Sequence, residues 1–257
     1  CAGLHEARYS REGDLCRASL GITRRESAFV QPRRRNCSGQ NAYSYDWRRT
    51  CAGDIVSRGA QCAGDGMPAP STEPGGVRPA SAAGLYYPKD ADGLRCALRT
   101  LLDGGDNTAA SARLPKALIV PHAGYAYSGT VAASAFRTLD RVAAASIRHV
   151  VLLGPSHRVK IRGLALPSCD HFSTPFGQVR VNYQGRRRLR ELGLAGIADA
   201  PHALEHSLEV QVPFLQSVLT DFDLLPIAVG LAPPEQVGRA LEAVWGGPET
   251  LIVISSD

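Results

Sequence analysis

Three apolar runs of this sequence are each followed, within four residues, by a residue that can bind a metal or move a proton. These residues are His122 after the run 117–120, His157 after 149–153, and Asp257 after 251–254. Ligands of open α/β sheets bind beyond the carboxyl ends of the strands, so the three side chains would converge if their strands were neighbours. Two neutral imidazoles and a carboxylate with open positions can hold iron, and they also suit zinc or copper. A single histidine after a strand is more often a hydrogen-bonded loop residue, but two in matched settings favour a site.

A second group of candidates lies at 202–209, in His-Ala-Leu-Glu-His-Ser-Leu-Glu. At 100° per residue, this segment predicts a helix with an apolar side and an opposite polar side. The polar side would carry His202, Glu205, His206 and Glu209. Such a stripe can be ordinary solvated surface, and Pro213 is expected to kink or end the helix. It can also serve proton transfer beside a metal, because histidine titrates near neutral pH and a carboxylate can orient it.

The elements that would position these residues are visible within 78–257. Short apolar runs alternate there with helix-like segments, which predicts an α/β domain with a buried, mostly parallel sheet. A helix is expected over 128–139, directly after the loop that carries the first histidine, with Ser128 as its N-cap. Alternating apolar residues between 163 and 183, interrupted by Pro and Gly, predict an added hairpin or edge strands.

The first 77 residues differ in composition from the rest. They hold five of the seven cysteines, eleven arginines, no lysine and eight acids, and no helical or strand period persists. No C-x2-C pair occurs among them, which disfavours zinc, and the paired arginines are weak evidence for nucleic-acid binding. We therefore expect residues 1–77 to be a disordered or non-native N-terminal extension, and residues 78–257 to form the domain.

Composition and motifs exclude several classes of protein. No apolar run of this chain of 257 residues approaches the roughly 18 residues that cross a bilayer. The first twenty residues lack a signal-peptide pattern, so the cytoplasm is the expected compartment. The motifs of nucleophile-elbow hydrolases, P-loop enzymes and dinucleotide-binding folds are absent. Cys169 lies two residues before His171 and is treated as incidental, because catalytic pairs of this kind are usually brought together by the fold.

Five segments, taken together and in order, resemble the Memo family. They are 78–88, 121–129, 154–157, 205–214 and 255–257. The resemblance implies a fold similar to the LigB-type class III extradiol dioxygenases, a three-layer α/β domain with a mostly parallel central sheet. Bacterial and archaeal members are described as protein B of the AmmeMemoRadiSam system. The implied partners are an unknown small molecule and AMMECR1-like and radical SAM proteins, with neither nucleic acid nor a membrane expected.

The resemblance also assigns roles to individual residues. His122 and His157 match the family's first two metal-ligating histidines, while His206 and Asp257 match residues that face the site. The implied metal is iron(II), with copper as the alternative, and the catalytic candidates are His206, Glu205 and Asp257. The family's third ligand, a cysteine, would follow Asp257, so the domain is expected to be incomplete at its C-terminus.

Two classes of function remain open from the sequence. The first is a metal-dependent oxidoreductase similar to extradiol dioxygenases, acting on an ene-diol or a related substrate. The second is a non-catalytic metal- or partner-binding protein that uses the same pocket, since fold does not decide function. A roomy apolar pocket beside the metal would favour the oxidoreductase. A cysteine ligand in place of a carboxylate argues against catechol ring opening in particular.

Overall fold

The computed structural model describes residues 75–104, 114–139 and 144–256. In chain order its elements are β1 (Val77–Arg78), α1 (Ala91–Asp103), β2 (Ala117–Val120), α2 (Tyr125–Phe136), β3 (His149–Pro155), β4 (Leu164–Leu166), β5 (His171–Thr174), β6 (Gly177–Arg180), α3 (Tyr183–Glu191), β7 (Gly196–Ile197), α4 (Ala200–Ala203), α5 (His206–Glu209), α6 (Val212–Val218), β8 (Asp223–Val229), α7 (Pro234–Ala243) and β9 (Thr250–Ser255). Asp257 and residues 1–74 lie outside the described residues, so what the sequence predicts for them stays a prediction.

The central sheet has six strands in the order β2-β9-β3-β8-β4-β7. The pairs β2–β9, β9–β3 and β3–β8 are all parallel, whereas β4 is antiparallel to β8. This arrangement confirms the predicted α/β class with a mostly parallel sheet. The strands that lead to His122 and His157, β2 and β3, lie on either side of β9, which ends at Ser255, so their carboxyl ends meet at one edge of the sheet.

Helices cover both faces of this sheet and give the fold three layers. Successive residues of a strand point to opposite faces. Val150 and Leu152 therefore pack into the cluster that includes α1, α2 and α6, while Val151 and Leu153 pack into the cluster that includes α3 and α7. All four residues are buried, which explains why these strands read as continuous apolar runs.

A second, three-stranded sheet has the order β1-β5-β6. Strands β5 and β6 form an antiparallel hairpin, and Gly177 begins β6 directly after the turn with φ of +109°, a conformation that favours glycine. This hairpin confirms the prediction for 163–183. Strand β1 pairs in parallel with β5, which carries Arg78 into the interior.

Helix α2 begins earlier than the sequence predicts. Its first residue is Tyr125 and its N-cap is Gly124, so Ser128 lies inside the helix and its Oγ donates to the carbonyl of Ala123. The predicted N-cap role of Ser128 is therefore wrong. Burial decides where the helix starts, because Tyr125 packs into the core and its hydroxyl donates to the carbonyl of Val210.

Among the described residues, no helix is both long and apolar enough to cross a membrane.

Candidate metal centre

Three histidines meet at the carboxyl edge of the central sheet. His122 and His157 each lie two residues beyond a parallel strand, and His206 begins α5. One ring nitrogen of each histidine lies within 4.8 Å of those of the other two. The ring centroids are 5.1 Å apart for His122 and His157, 4.8 Å for His157 and His206, and 5.6 Å for His122 and His206. This three-histidine cluster brings both predicted metal ligands together with a predicted catalytic residue.

The three histidines of the cluster differ in their exposure to solvent. His122 is buried, with 3% of its surface exposed, whereas His206 is partly buried and His157 is exposed. A ligand would therefore approach from the side of His157.

Glu205 fixes the orientation of His157. Its Oε1 lies 2.8 Å from His157 Nδ1, and its Oε2 accepts from the backbone N–H of His157 at 2.6 Å. Burial alone would raise the pKa of Glu205, but the hydrogen bonds from His157 and from the Ser207 N–H outweigh it and lower the pKa to about 2. An ionised carboxylate only accepts, so Nδ1 of His157 carries the proton. Its Nε2 is then left with a lone pair for a metal.

The same carboxylate also lies beside His206. His206 Nδ1 is 3.3 Å from Glu205 Oε1, and its ring stacks on Tyr86 with centroids 4.2 Å apart. Desolvation lowers the pKa of His206, and the neighbouring His157, His122 and Arg158 lower it further, against the opposing effect of Glu205. These effects favour the neutral imidazole, which is the form that binds metals.

The helix predicted over 202–209 is wrong, because the segment forms α4 and α5 with a break between them. Glu205 at the break has an extended backbone, with φ of −82° and ψ of 127°, and its side chain caps α5 by accepting from the Ser207 N–H. Leu204, which would lie on the apolar side of the predicted helix, is 57% exposed. The capping carboxylate competes with helix continuation, so the four polar residues of the segment do not share one side.

His202 belongs to a different environment. It is buried, and its Nε2 lies 3.1 Å from the carbonyl oxygen of Ala165. Burial lowers its pKa from 6.5 to about 4, with a smaller contribution from the positive charge of Arg78. His202 is therefore a neutral core histidine outside the three-histidine cluster.

Glu209 is also turned away from the cluster and is fully buried. Its Oε2 forms an ion pair with Arg78 and accepts from the N–H of Ser81 at 2.9 Å. Its Oε1 accepts from the N–H of Ala82 at 2.8 Å and from the hydroxyl of Tyr87 at 2.5 Å. Every oxygen of this carboxylate is thus engaged by the segment 78–87.

Arg78 joins the same network to the break before α5. Its Nε donates to the carbonyl of His202 at 2.8 Å, and its Nη2 donates to the carbonyl of Glu205 at 2.7 Å. The Arg78–Glu209 network therefore holds the backbone on which Glu205 and His206 are mounted. Reasoning from the sequence missed this role, and the only signal was the position of Arg78 at the start of a resembling segment.

An apolar cavity adjoins the cluster. It has a volume of about 360 Å³, and His122 and His157 are among the residues that line it. Its apolar wall is formed by Leu153, Val229, Val237, Leu241 and Ile254. Such a cavity suits an uncharged or weakly polar organic molecule placed next to the histidines.

Cys169 does not take part in the cluster. It is a buried free cysteine, and burial, aided by the negative charge of Asp199, raises its pKa to about 11. A thiol held protonated in this way is neither a nucleophile nor a ready metal ligand.

Comparison with known proteins places the chain among close sequence relatives. The family described as "Memo-like protein" matches residues 78–257. A MEMO1 family protein of Aquifex aeolicus is 38% identical over 185 residues, which cover 70% of this chain and 66% of that protein. The protein memo-1 homolog of Caenorhabditis elegans is 34% identical over 187 residues, covering 70% and 52%. Protein MEMO1 of Homo sapiens is 31% identical over 188 residues, covering 70% and 61%. The chain thus spans between about half and two thirds of the length of these relatives.

Proposed function

This chain belongs to the Memo family, and on that premise we propose that it is a metal-binding protein whose ion is held by His122, His157 and His206. The proposal rests on one observation, the convergence of three ring nitrogens to within 4.8 Å of one another. Imidazole nitrogens are ligands for iron, copper, zinc and nickel, so the donor set fits a transition metal. We propose iron(II) as the ion and copper as the alternative, in line with the dioxygenase-like resemblance.

The oxidoreductase class is supported by the cavity beside the histidines. A site that only stores a metal has no need of an adjoining apolar space, whereas a substrate does. When bound, an iron(II) ion would supply redox chemistry and Lewis acidity at this position. The cavity of about 360 Å³ would hold the organic substrate next to it.

The residues around the ion would have separate tasks. His122 and His157 hold the ion, and His206 completes the three-histidine cluster from α5. Glu205 remains a candidate for proton transfer as an acceptor, because with a pKa of about 2 it carries no proton at neutral pH. We assign to it the orientation of His157. Asp257, which follows β9, is proposed as a further residue facing the ion.

Metal content tests the proposal. The full chain, reconstituted anaerobically with iron(II) or copper and desalted, should retain about one ion per chain by mass spectrometry, as one cluster implies. The double variant His122→Ala/His157→Ala should retain none, because two of the three ligands are gone. His171→Ala is the matched control, since His171 lies in β5 and is not a member of the cluster. Unchanged metal content in the double variant would refute the site.

Oxygen uptake separates the two classes of function. A loaded protein that consumes oxygen only when a small ene-diol or related molecule is added supports the oxidoreductase. A loaded protein that never consumes oxygen supports the alternative, a non-catalytic metal- or partner-binding protein. Association with AMMECR1-like and radical SAM proteins stays a prediction of the resemblance, and co-purification with such partners tests it.

A further inference from the structure

We infer that Ser255 and Gln211 are positioning residues that hold His122 in one tautomer, with its proton on Nδ1 and its Nε2 lone pair kept for a ligand. The inference rests on the proposed metal-binding function for its purpose, but not for its geometry. It follows from a chain of hydrogen bonds in which each donor is determined by its partner.

The chain begins at the side chain of Gln211, which is fully buried. Its Nε2 lies 2.9 Å from the carbonyl oxygen of Pro121 and 2.9 Å from Ser255 Oγ. A carbonyl oxygen can only accept, so the NH₂ group of the amide must face Pro121. The same nitrogen then donates its other hydrogen to Ser255.

The hydroxyl of Ser255 has a single hydrogen, and it donates this hydrogen to a second carbonyl oxygen. Ser255 Oγ lies 2.7 Å from the carbonyl oxygen of Ser207, which again can only accept. His122 Nδ1 lies 3.2 Å from the same Oγ. With its own hydrogen committed to Ser207, Ser255 can only accept from His122, so Nδ1 must carry the proton.

The consequence for the cluster is a fixed tautomer. A neutral imidazole has one N–H, and placing it on Nδ1 leaves Nε2 as the atom with a lone pair. His157 reaches the same state through Glu205. Both ligand histidines thus carry the proton on Nδ1, His157 because its partner is a carboxylate and His122 because its partner is a hydroxyl.

His122 has an uncharged partner, whereas the partner of His157 is the equally buried carboxylate of Glu205, which accepts hydrogen bonds from the N–H groups of His157 and Ser207. His122, Ser255 and Gln211 are 3%, 2% and 0% exposed. A hydroxyl and an amide orient the ring without introducing a charge. The chain also ties together the ends of β2 and β9 and the region between α5 and α6.

Nitrogen-15 NMR of the imidazole rings in the metal-free full chain tests the inference directly. Long-range proton–nitrogen correlations distinguish a ring protonated at Nδ1 from one protonated at Nε2. Near pH 8 the wild-type His122 should be protonated at Nδ1. A wild-type His122 protonated at Nε2 overturns the inference, and this measurement requires neither a variant nor a metal.

Ser255→Ala provides the second test. Without the acceptor, His122 should show a mixture of tautomers, and affinity for iron(II) should fall by about 10- to 100-fold, as is typical when a partner of a ligating histidine is lost. Ser217→Ala on α6 is the matched control, since its Oγ only donates to the carbonyl of Pro213 and its loss should leave affinity within about twofold.

The outcomes separate the inference from the proposed function. Wild-type affinity and an unchanged tautomer in a folded Ser255→Ala variant would overturn the inference. If the wild-type chain binds no metal, the proposed function fails, while the tautomer of His122 still decides the inference. If Ser255→Ala does not fold, the wild-type spectrum decides it alone.

Discussion

Two polar regions share the four-residue helix α5, and they are built in opposite ways. The three-histidine cluster, at the start of α5, consists of imidazole rings that turn nitrogen atoms toward a shared space, and His157 is its exposed member. The Arg78–Glu209 network, at the end of α5, is a fully buried ion pair whose carboxylate oxygens are occupied by donors of the segment 78–87. The cluster turns ring nitrogens toward a space that a ligand could occupy, whereas both carboxylate oxygens of Glu209 already accept hydrogen bonds.

This difference assigns separate tasks to residues that look alike in the sequence. Glu205 and Glu209 are four residues apart in one polar segment, yet Glu205 orients a ring of the cluster and Glu209 anchors the backbone beneath it. Substitutions in the network should therefore lower stability, and substitutions in the cluster should lower metal affinity.

The largest effect is expected for Glu209→Ala. The variant leaves the buried guanidinium of Arg78 without its counter-charge, which should lower the free energy of unfolding by about 3–5 kcal/mol. Urea unfolding at pH 7 measures the change. Glu191→Ala, which breaks an exposed pair with Arg187, is the control and should cost well under about 1 kcal/mol. An equal loss of unfolding free energy in the two variants would show that the Arg78–Glu209 network does not stabilise the fold as proposed.

His202, beside the network, should make stability depend on pH. Its pKa is about 4 in the folded protein and 6.5 as its ordinary value, so the unfolded chain binds the proton more tightly. The contribution of His202 to the free energy of unfolding is therefore fully present above pH 6.5. It is lost as the pH drops from 6.5 toward 4, and it changes no further below pH 4. At pH 5 the loss should be about 2 kcal/mol relative to pH 7.5.

The variant His202→Gln checks this assignment. Glutamine does not titrate, so the decline in unfolding free energy between pH 7.5 and pH 5 should be smaller by about 2 kcal/mol than in the wild type. A variant with the wild-type decline would show that other groups cause it.

A smaller effect is expected for Glu205→Gln in the cluster. The amide preserves the size of the side chain and an acceptor for the Ser207 N–H, but it removes the charge that holds His157 Nδ1–H. Metal affinity should fall about tenfold, with less loss of stability than in Glu209→Ala. Isothermal titration with iron(II) measures it, with Glu235→Gln on the exposed surface of α7 as control. Wild-type affinity in Glu205→Gln would remove Glu205 from the site.

Local patterns predicted the parallel strands well. The runs at 117–120, 149–153 and 251–254 became β2, β3 and β9. Strands β3 and β9 are buried on both faces, which leaves a continuous apolar signal, whereas Ile119 of the edge strand β2 is 72% exposed. The helix predicted for the segment 202–209 was wrong for a reason that the apolar pattern does not show. Its apolar spacing fits a helix, but Glu205 uses its side chain as a cap, and an extended residue cannot continue the helix.

The sequence by itself determined the alternation of helices and strands, the placement of His122 and His157 directly after strands, and the resemblance to the Memo family. Tertiary structure alone decided that β9 lies between β2 and β3, that His206 joins the two histidines, and that Glu209 faces Arg78. The physical reason is the separation along the chain of the residues that interact. Strand and turn preferences act between neighbours in the chain, whereas the pair Arg78–Glu209 and the chain Gln211–Ser255–His122 join residues 131 and 133 positions apart at their widest.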